Sequence, residues 1–86
     1  MTQSTEEILA ERAKTHGEYL THAQITQDLK TILHTRVGWT CLNQPQKESL
    51  DMIAHKIGRI LNGNPNYRDH WDDIAGYAKL VADLCP

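Results

Sequence analysis

The sequence predicts an all-α fold, a compact bundle of three long helices preceded by a short one, in a single domain spanning residues 1–86. Two observations carry this. Apolar residues recur every three or four positions through most of the chain, which is the spacing of one helix face. No stretch alternates apolar and polar residues as a half-buried strand does, and there is no internal repeat. A chain of 86 residues is one small domain, near the lower limit for folding alone, because small domains bury a smaller fraction of their surface.

The first helix is predicted over Thr5–Lys14. Ser4 or Thr5 caps it, Glu6 and Glu7 suit the positive end of its dipole, and Gly17 ends it. The second runs from Glu18 to Arg36. Ile25, Leu29, Ile32 and Leu33 share one face, His22 precedes them by a turn, and Gly38 stops the helix. The stretch VGWTCLNQ is the least helical, and Trp39 is expected to tuck its ring into the core from a loop.

Pro45 suits the first turn of a third helix, with Asn43 or Gln44 as the cap. Leu50, Ile53, Ala54, Ile57, Ile60 and Leu61 form its apolar stripe, and Glu48, Asp51, His55 and Arg59 the opposite face. NGNPN is a turn cluster that ends it. The fourth helix, Arg68 to Leu84, carries two apolar stripes. Trp71, Ile74, Ala75, Ala78, Val81, Ala82 and Cys85 form one; Tyr77, Leu80 and Leu84 form the other. A helix apolar on two sides packs against two partners, so a homo-oligomer joined through Tyr77, Leu80 and Leu84 is expected. The expected core is Leu29, Ile32, Leu50, Ile53, Ile57, Trp71, Ile74 and Ala78. Gly76 costs helix stability, and close approach of another helix is the simplest reason for it.

The net charge of −2 gives no electrostatic footprint for nucleic acid, so no nucleic-acid partner is expected. The N-terminal segment is polar and acidic, without the apolar run of a signal peptide. No apolar run approaches the ~20 residues that span a bilayer, so no membrane partner is expected either. Cys41 and Cys85 fit no metal-ligand spacing, and the chain is expected to be cytoplasmic with reduced thiols.

Two groups of residues carry possible chemistry. Glu48 and Asp51 on the third helix, with Asp69 and Asp73 on the fourth, are spaced to share helix faces. Hard cations such as Mg²⁺ take oxygen ligands and keep several waters, so these four are candidate metal ligands; the alternative is that they cap helices and face solvent. Lys56 and Arg59 lie near the end of the third helix and are candidate phosphate binders; the alternative is a salt bridge to Asp69 or Asp73 across the turn. His70 is a candidate acid-base or ligand group and Tyr77 a candidate hydrogen-bonding or stacking group, with packing as the alternative for each. No P-loop, Rossmann glycine pattern, HExxH or nucleophile signature occurs.

The segments ERAKTHGEY, LDMIAHKIGRIL and DHWDDIAGYAKL resemble a group of small, uncharacterised helical proteins of phages and prophages, over most of the chain. A more distant resemblance is to the MazG-type all-α nucleoside triphosphate pyrophosphohydrolases. Those carry an E-x-x-E pair and a later E-x-x-D pair that bind Mg²⁺, where this chain has Glu48-x-x-Asp51 and His70-x-x-Asp73. Asp51 and His70 stand where that superfamily has Glu. The resemblance implies Mg²⁺-dependent cleavage of a (deoxy)nucleoside triphosphate by a dimer or tetramer. The other reading is a non-catalytic phage accessory protein that docks on a host or phage protein, for example to counter host defence.

Overall fold

The computed structural model describes residues 3–86, and among these there is no strand. They form four α-helices: α1 (Thr5–His16), α2 (Tyr19–His34), α3 (Gln44–Asn62) and α4 (Arg68–Ala82), with a 3-10 turn over Val37–Cys41 between α2 and α3. The starts of α1 and α3 have local causes. The Ser4 hydroxyl accepts from the Glu7 N–H, and Asn43 and Gln46 cap α3 reciprocally, with Pro45 in its first turn where no N–H is needed. α2 ends at His34, two residues before Arg36, with the Thr35 hydroxyl donating to the Thr31 carbonyl at 2.6 Å. Trp39 does not enter a core. The short 3-10 turn holds its ring against His34, with centroids 4.4 Å apart.

α3 is the central helix. α2 packs along one flank and α4 along the other, both antiparallel to it, while α2 and α4 scarcely meet. The two helix junctions interlock. Gly17 has φ 76°, and a Cβ there would strike the Asn62 carbonyl; one on Gly63 would strike the Thr15 carbonyl. Glycine at both places lets the backbones touch. The Asn64 N–H then donates to the Thr15 carbonyl at 3.0 Å, and the Asn62 amide donates to the Glu18 carbonyl at 2.7 Å.

A turn of roughly 100° per residue fixes what each side of α3 carries. Asp51, Gly58 and Asn62 face α2, where they meet His34, His22 with Thr26, and Glu18. Lys56, roughly 160° from Gly58 on that wheel, reaches Asp73 on α4. Two sides of the helical layer remain. His55 and Arg59 lie on one; Leu50, Ile53, Ile57 and Leu61 lie on the other. The same wheel puts Ile25, Leu29 and Ile32 of α2, and Trp71, Ile74 and Ala78 of α4, on the side of Leu50 and Ile57.

The expected core residues therefore share one side of the layer, but they are not buried. Leu29, Ile53, Ile57 and Ile74 are half-buried, Leu50 and Ala78 are exposed, and Ile32 and Trp71 remain 59% and 53% exposed. Helices in one layer bury only the flanks at which they touch. Those flanks hold Ala54 and Gly58 with the polar His22, Thr26, Ser49, Lys56 and His70. The chain is correspondingly extended rather than compact, 48 × 26 × 23 Å, with a radius of gyration of 14.9 Å. A compact domain of this length has about 12 Å. Among the described residues, no helix is long and apolar enough to cross a membrane. Cys41 and Cys85 are free and exposed.

Candidate functional site

The His55–Arg59 side of the layer holds a cavity of about 320 Å³ under α1. Its walls come from α1 (Arg12, Ala13, His16), the α1–α2 junction (Gly17 to Tyr19), α2 (His22) and α3 (His55, Arg59). The local folding is simple. Arg12 and His16 are four apart on one face of α1, as are His55 and Arg59 on α3, and the Gly17 turn folds the first pair over the second.

Four imidazoles pack here as two edge-to-face pairs: His22 with His55 at 4.6 Å and His16 with His70 at 4.8 Å between centroids. Tyr67 closes on His70 at 4.8 Å. His70 is 1% exposed, and its Nε2 lies 3.3 Å from the Thr15 carbonyl. A carbonyl only accepts, so Nε2 carries the proton. His70 is thus a buried tie between α4 and the end of α1 rather than an open acid-base group. His22 Nε2 lies 3.4 Å from the Thr26 hydroxyl, and its Nδ1 is buried without a partner.

The electrostatics of the cavity are one-sided. The guanidinium groups of Arg12 and Arg59 form no ion pair or hydrogen bond among the described residues. Burial lowers the pKa of Arg59, and the neighbouring Arg12 lowers it further, with only Asp73 acting the other way. Burial and then the Arg59 charge push His16 and His55 down to about 4. His22 is lowered by the same two causes. At neutral pH the cavity therefore presents two guanidinium groups and neutral imidazoles. Such a lining suits an anion with a flat, weakly polar body.

The sequence-derived candidates fall around this cavity unevenly. Arg59 lines it; Lys56 does not, because its Nζ pairs with Asp73 Oδ2 at 2.8 Å between α3 and α4. That bridge is the ion pair expected across the NGNPN turn, and Lys56 lowers the pKa of Asp73 through it. Asp51 is engaged by His34, Nε2 to Oδ1 at 2.6 Å, at the far end of α3. Asp69 is exposed beside the Tyr67 phenol, whose pKa it raises. Glu48 is exposed and Tyr77 half-buried beside Gly76 in a shallow groove on α4.

Glu48, Asp69 and Asp73 lie on the Arg59 side of the layer, Glu48 along the His55 strip and Asp69 one turn before Asp73, while Asp51 turns toward His34 of α2. They are nonetheless spread along it. Glu48 lies eight residues before Lys56, roughly 12 Å along the axis, and Asp73 is level with Lys56. Within one chain, the described residues include no group of three or more His, Cys, Asp or Glu side chains able to hold a metal ion.

Sequence reasoning named Arg59, placed His55 with it on the polar face of the third helix, and gave no site role to Arg12 or His16. The signal was present in R-x-x-x-H-G and H-x-x-x-R, each placing a cation and an imidazole one turn apart. It lacked the knowledge that Gly17 folds one pair over the other. Gly76 has no atom near the position of an added Cβ, so it marks no close helix approach.

Neither a curated protein nor a solved structure matches the chain. A family model does, over residues 1–85, and the chain belongs to that family, described as a domain of unknown function, DUF6378.

Proposed function

We propose that the protein binds a phosphorylated, ring-bearing small molecule of the nucleotide class in the cavity between α1, α2 and α3. The observation that carries this is the pair Arg12 and Arg59. They repel one another beside a cavity and form no ion pair among the described residues. Two facing guanidinium groups match phosphate oxygens, which accept in forked pairs. The His22 and His55 rings and Tyr19 supply flat surface for a base. A volume of about 320 Å³ is at the small end of ligand pockets.

A second reading, the Mg²⁺-dependent pyrophosphohydrolase, is supported by the position of Glu48, Asp69 and Asp73 on the Arg59 side of the layer, with Asp51 at its α2 edge. In that reading the acids hold Mg²⁺ with help from a second copy, and the metal activates water and neutralises phosphate charge. The setting would be a phage or prophage protein acting in the host cytoplasm as a homo-oligomer.

Calorimetric titration with a purine nucleoside triphosphate, the nucleoside and inorganic pyrophosphate, each with and without Mg²⁺, tests both. The nucleotide should bind at least tenfold tighter than either fragment, and Arg59→Gln should abolish that binding. Pyrophosphate release that requires Mg²⁺ and Asp73 would establish the enzyme. If none of the three binds, the cavity reading fails and the non-catalytic accessory protein stands.

A further inference from the structure

The side of the layer opposite the cavity carries the apolar stripes of three helices and no ligand chemistry. Ile25, Leu29 and Ile32 of α2, Leu50, Ile53, Ile57 and Leu61 of α3, and Trp71, Ile74 and Ala78 of α4 lie there, and the stripes contain no charged side chain. Ile32, Leu61 and Trp71 are more than half exposed.

We infer that this apolar side is an interface, and that its occupant is the same side of a second copy of the chain. Area is the first argument. The chain exposes 6454 Å², whereas a compact monomer of 9.8 kDa exposes about 5,200 Å². The excess is larger than the roughly 800 Å² that each partner contributes to a stable interface. Ala54 is the one buried apolar residue among those described, so the folded chain lacks the buried apolar surface that normally offsets chain entropy. Stacking two layers through their apolar sides supplies that core. Symmetry is the second argument. A two-fold interface joins a patch to itself and needs a self-complementary surface. A broad apolar face is self-complementary, whereas recognition of a different partner is ordinarily steered by placed charges. This interface differs from the one expected from Tyr77, Leu80 and Leu84, since Leu80 lies toward the Asp73 side of α4 and Tyr77 faces α3.

Sedimentation equilibrium and melting at several protein concentrations test this, independently of any ligand. The wild type should sediment at twice the 9.8 kDa chain mass, and its melting temperature should rise with concentration. Ile32→Glu and Leu61→Glu should each weaken association at least tenfold, while Leu80→Glu should leave it unchanged. If the Glu variants fail to fold, Leu61→Gln keeps the test: tenfold easier dissociation supports the interface, and an unchanged constant overturns it. A wild type that stays monomeric at 100 µM with a concentration-independent melting temperature also overturns it and assigns the face to another occupant. So does association that Leu80→Glu destroys and Ile32→Glu spares.

Discussion

Lys56 is buried and Asp73 is half exposed, and their 2.8 Å ion pair is the direct charge bridge between α3 and α4. The asymmetry decides what the pair does. The ammonium has left water, so its partner is what keeps it from being an uncompensated buried charge.

Asp73→Asn should therefore lower the urea midpoint. Lys56→Met combined with Asp73→Asn should recover part of the loss, because the methionine fills the same space without a charge. If Asp73→Asn melts like wild type, the pair is only a surface contact. A metal role gives another pattern: Mg²⁺ raises the wild-type melting temperature, and Asp73→Asn removes that shift.

Stability should fall with pH in two steps. His16 and His55 have folded pKa values of about 4, below the ordinary 6.5, so the unfolded chain takes up protons first. Their contribution is complete above pH 6.5 and is lost progressively between 6.5 and about 4. Asp73, depressed by Lys56, adds its loss at lower pH still, as the pH falls through its folded pKa. Urea midpoints from pH 8 to pH 2 check this. His16→Gln with His55→Gln should flatten the upper step and leave the lower one.

Three glycines should respond differently to alanine. At Gly58 a Cβ would lie 2.6 Å from the Thr26 hydroxyl and 3.1 Å from the His22 ring, so Gly58→Ala should cost about 1–3 kcal/mol through overpacking. Gly17→Ala should cost more, because φ 76° and the Asn62 carbonyl both oppose it. Gly76 faces open space in mid-helix, so Gly76→Ala should stabilise by roughly 0.5–1 kcal/mol. Loss of ligand binding in the stabilised Gly76→Ala would place the ligand against α4 instead of under α1.

The helices were legible in the sequence because caps and apolar spacing are local. Asn43, Pro45 and Gln46 announce the start of α3, and NGNPN its end, without reference to the rest of the chain. The grouping of Leu29, Ile32, Leu50, Ile57 and Trp71 was legible too, since each lies on its helix's apolar stripe. What covers them was not, because periodicity defines a face and not its neighbour. Trp39 was misjudged for a related reason. Its size suggests a core, but the 3-10 turn leaves it half-buried with its ring against His34. The cavity was hidden most, because it depends on the interlock of Gly17 with Asn62 and of Gly63 with Thr15, more than forty residues apart in the chain.

Arg12 and Arg59 should show opposite effects on stability and on binding. Arg12 raises the cost of keeping Arg59 charged, and neither side chain forms an ion pair among the described residues. Arg12→Gln removes that repulsion and makes protonation of His16 less unfavourable, since Arg12 is among the charges that depress it. The free variant should therefore be at least as stable as wild type at low ionic strength, with the advantage disappearing in high salt as screening shortens the range of the repulsion. Its affinity for sulfate, whose charge does not titrate in this range, should fall at least tenfold. Wild-type affinity for sulfate should rise as the pH falls from 7 toward 5, because a bound anion favours the protonated forms of His16 and His55. Thermal melts in low and high salt, with sulfate titrations at each pH, separate the two roles. A destabilised Arg12→Gln that still binds sulfate like wild type would show that the arginines hold α1 in place by packing, and that no anion site lies between them.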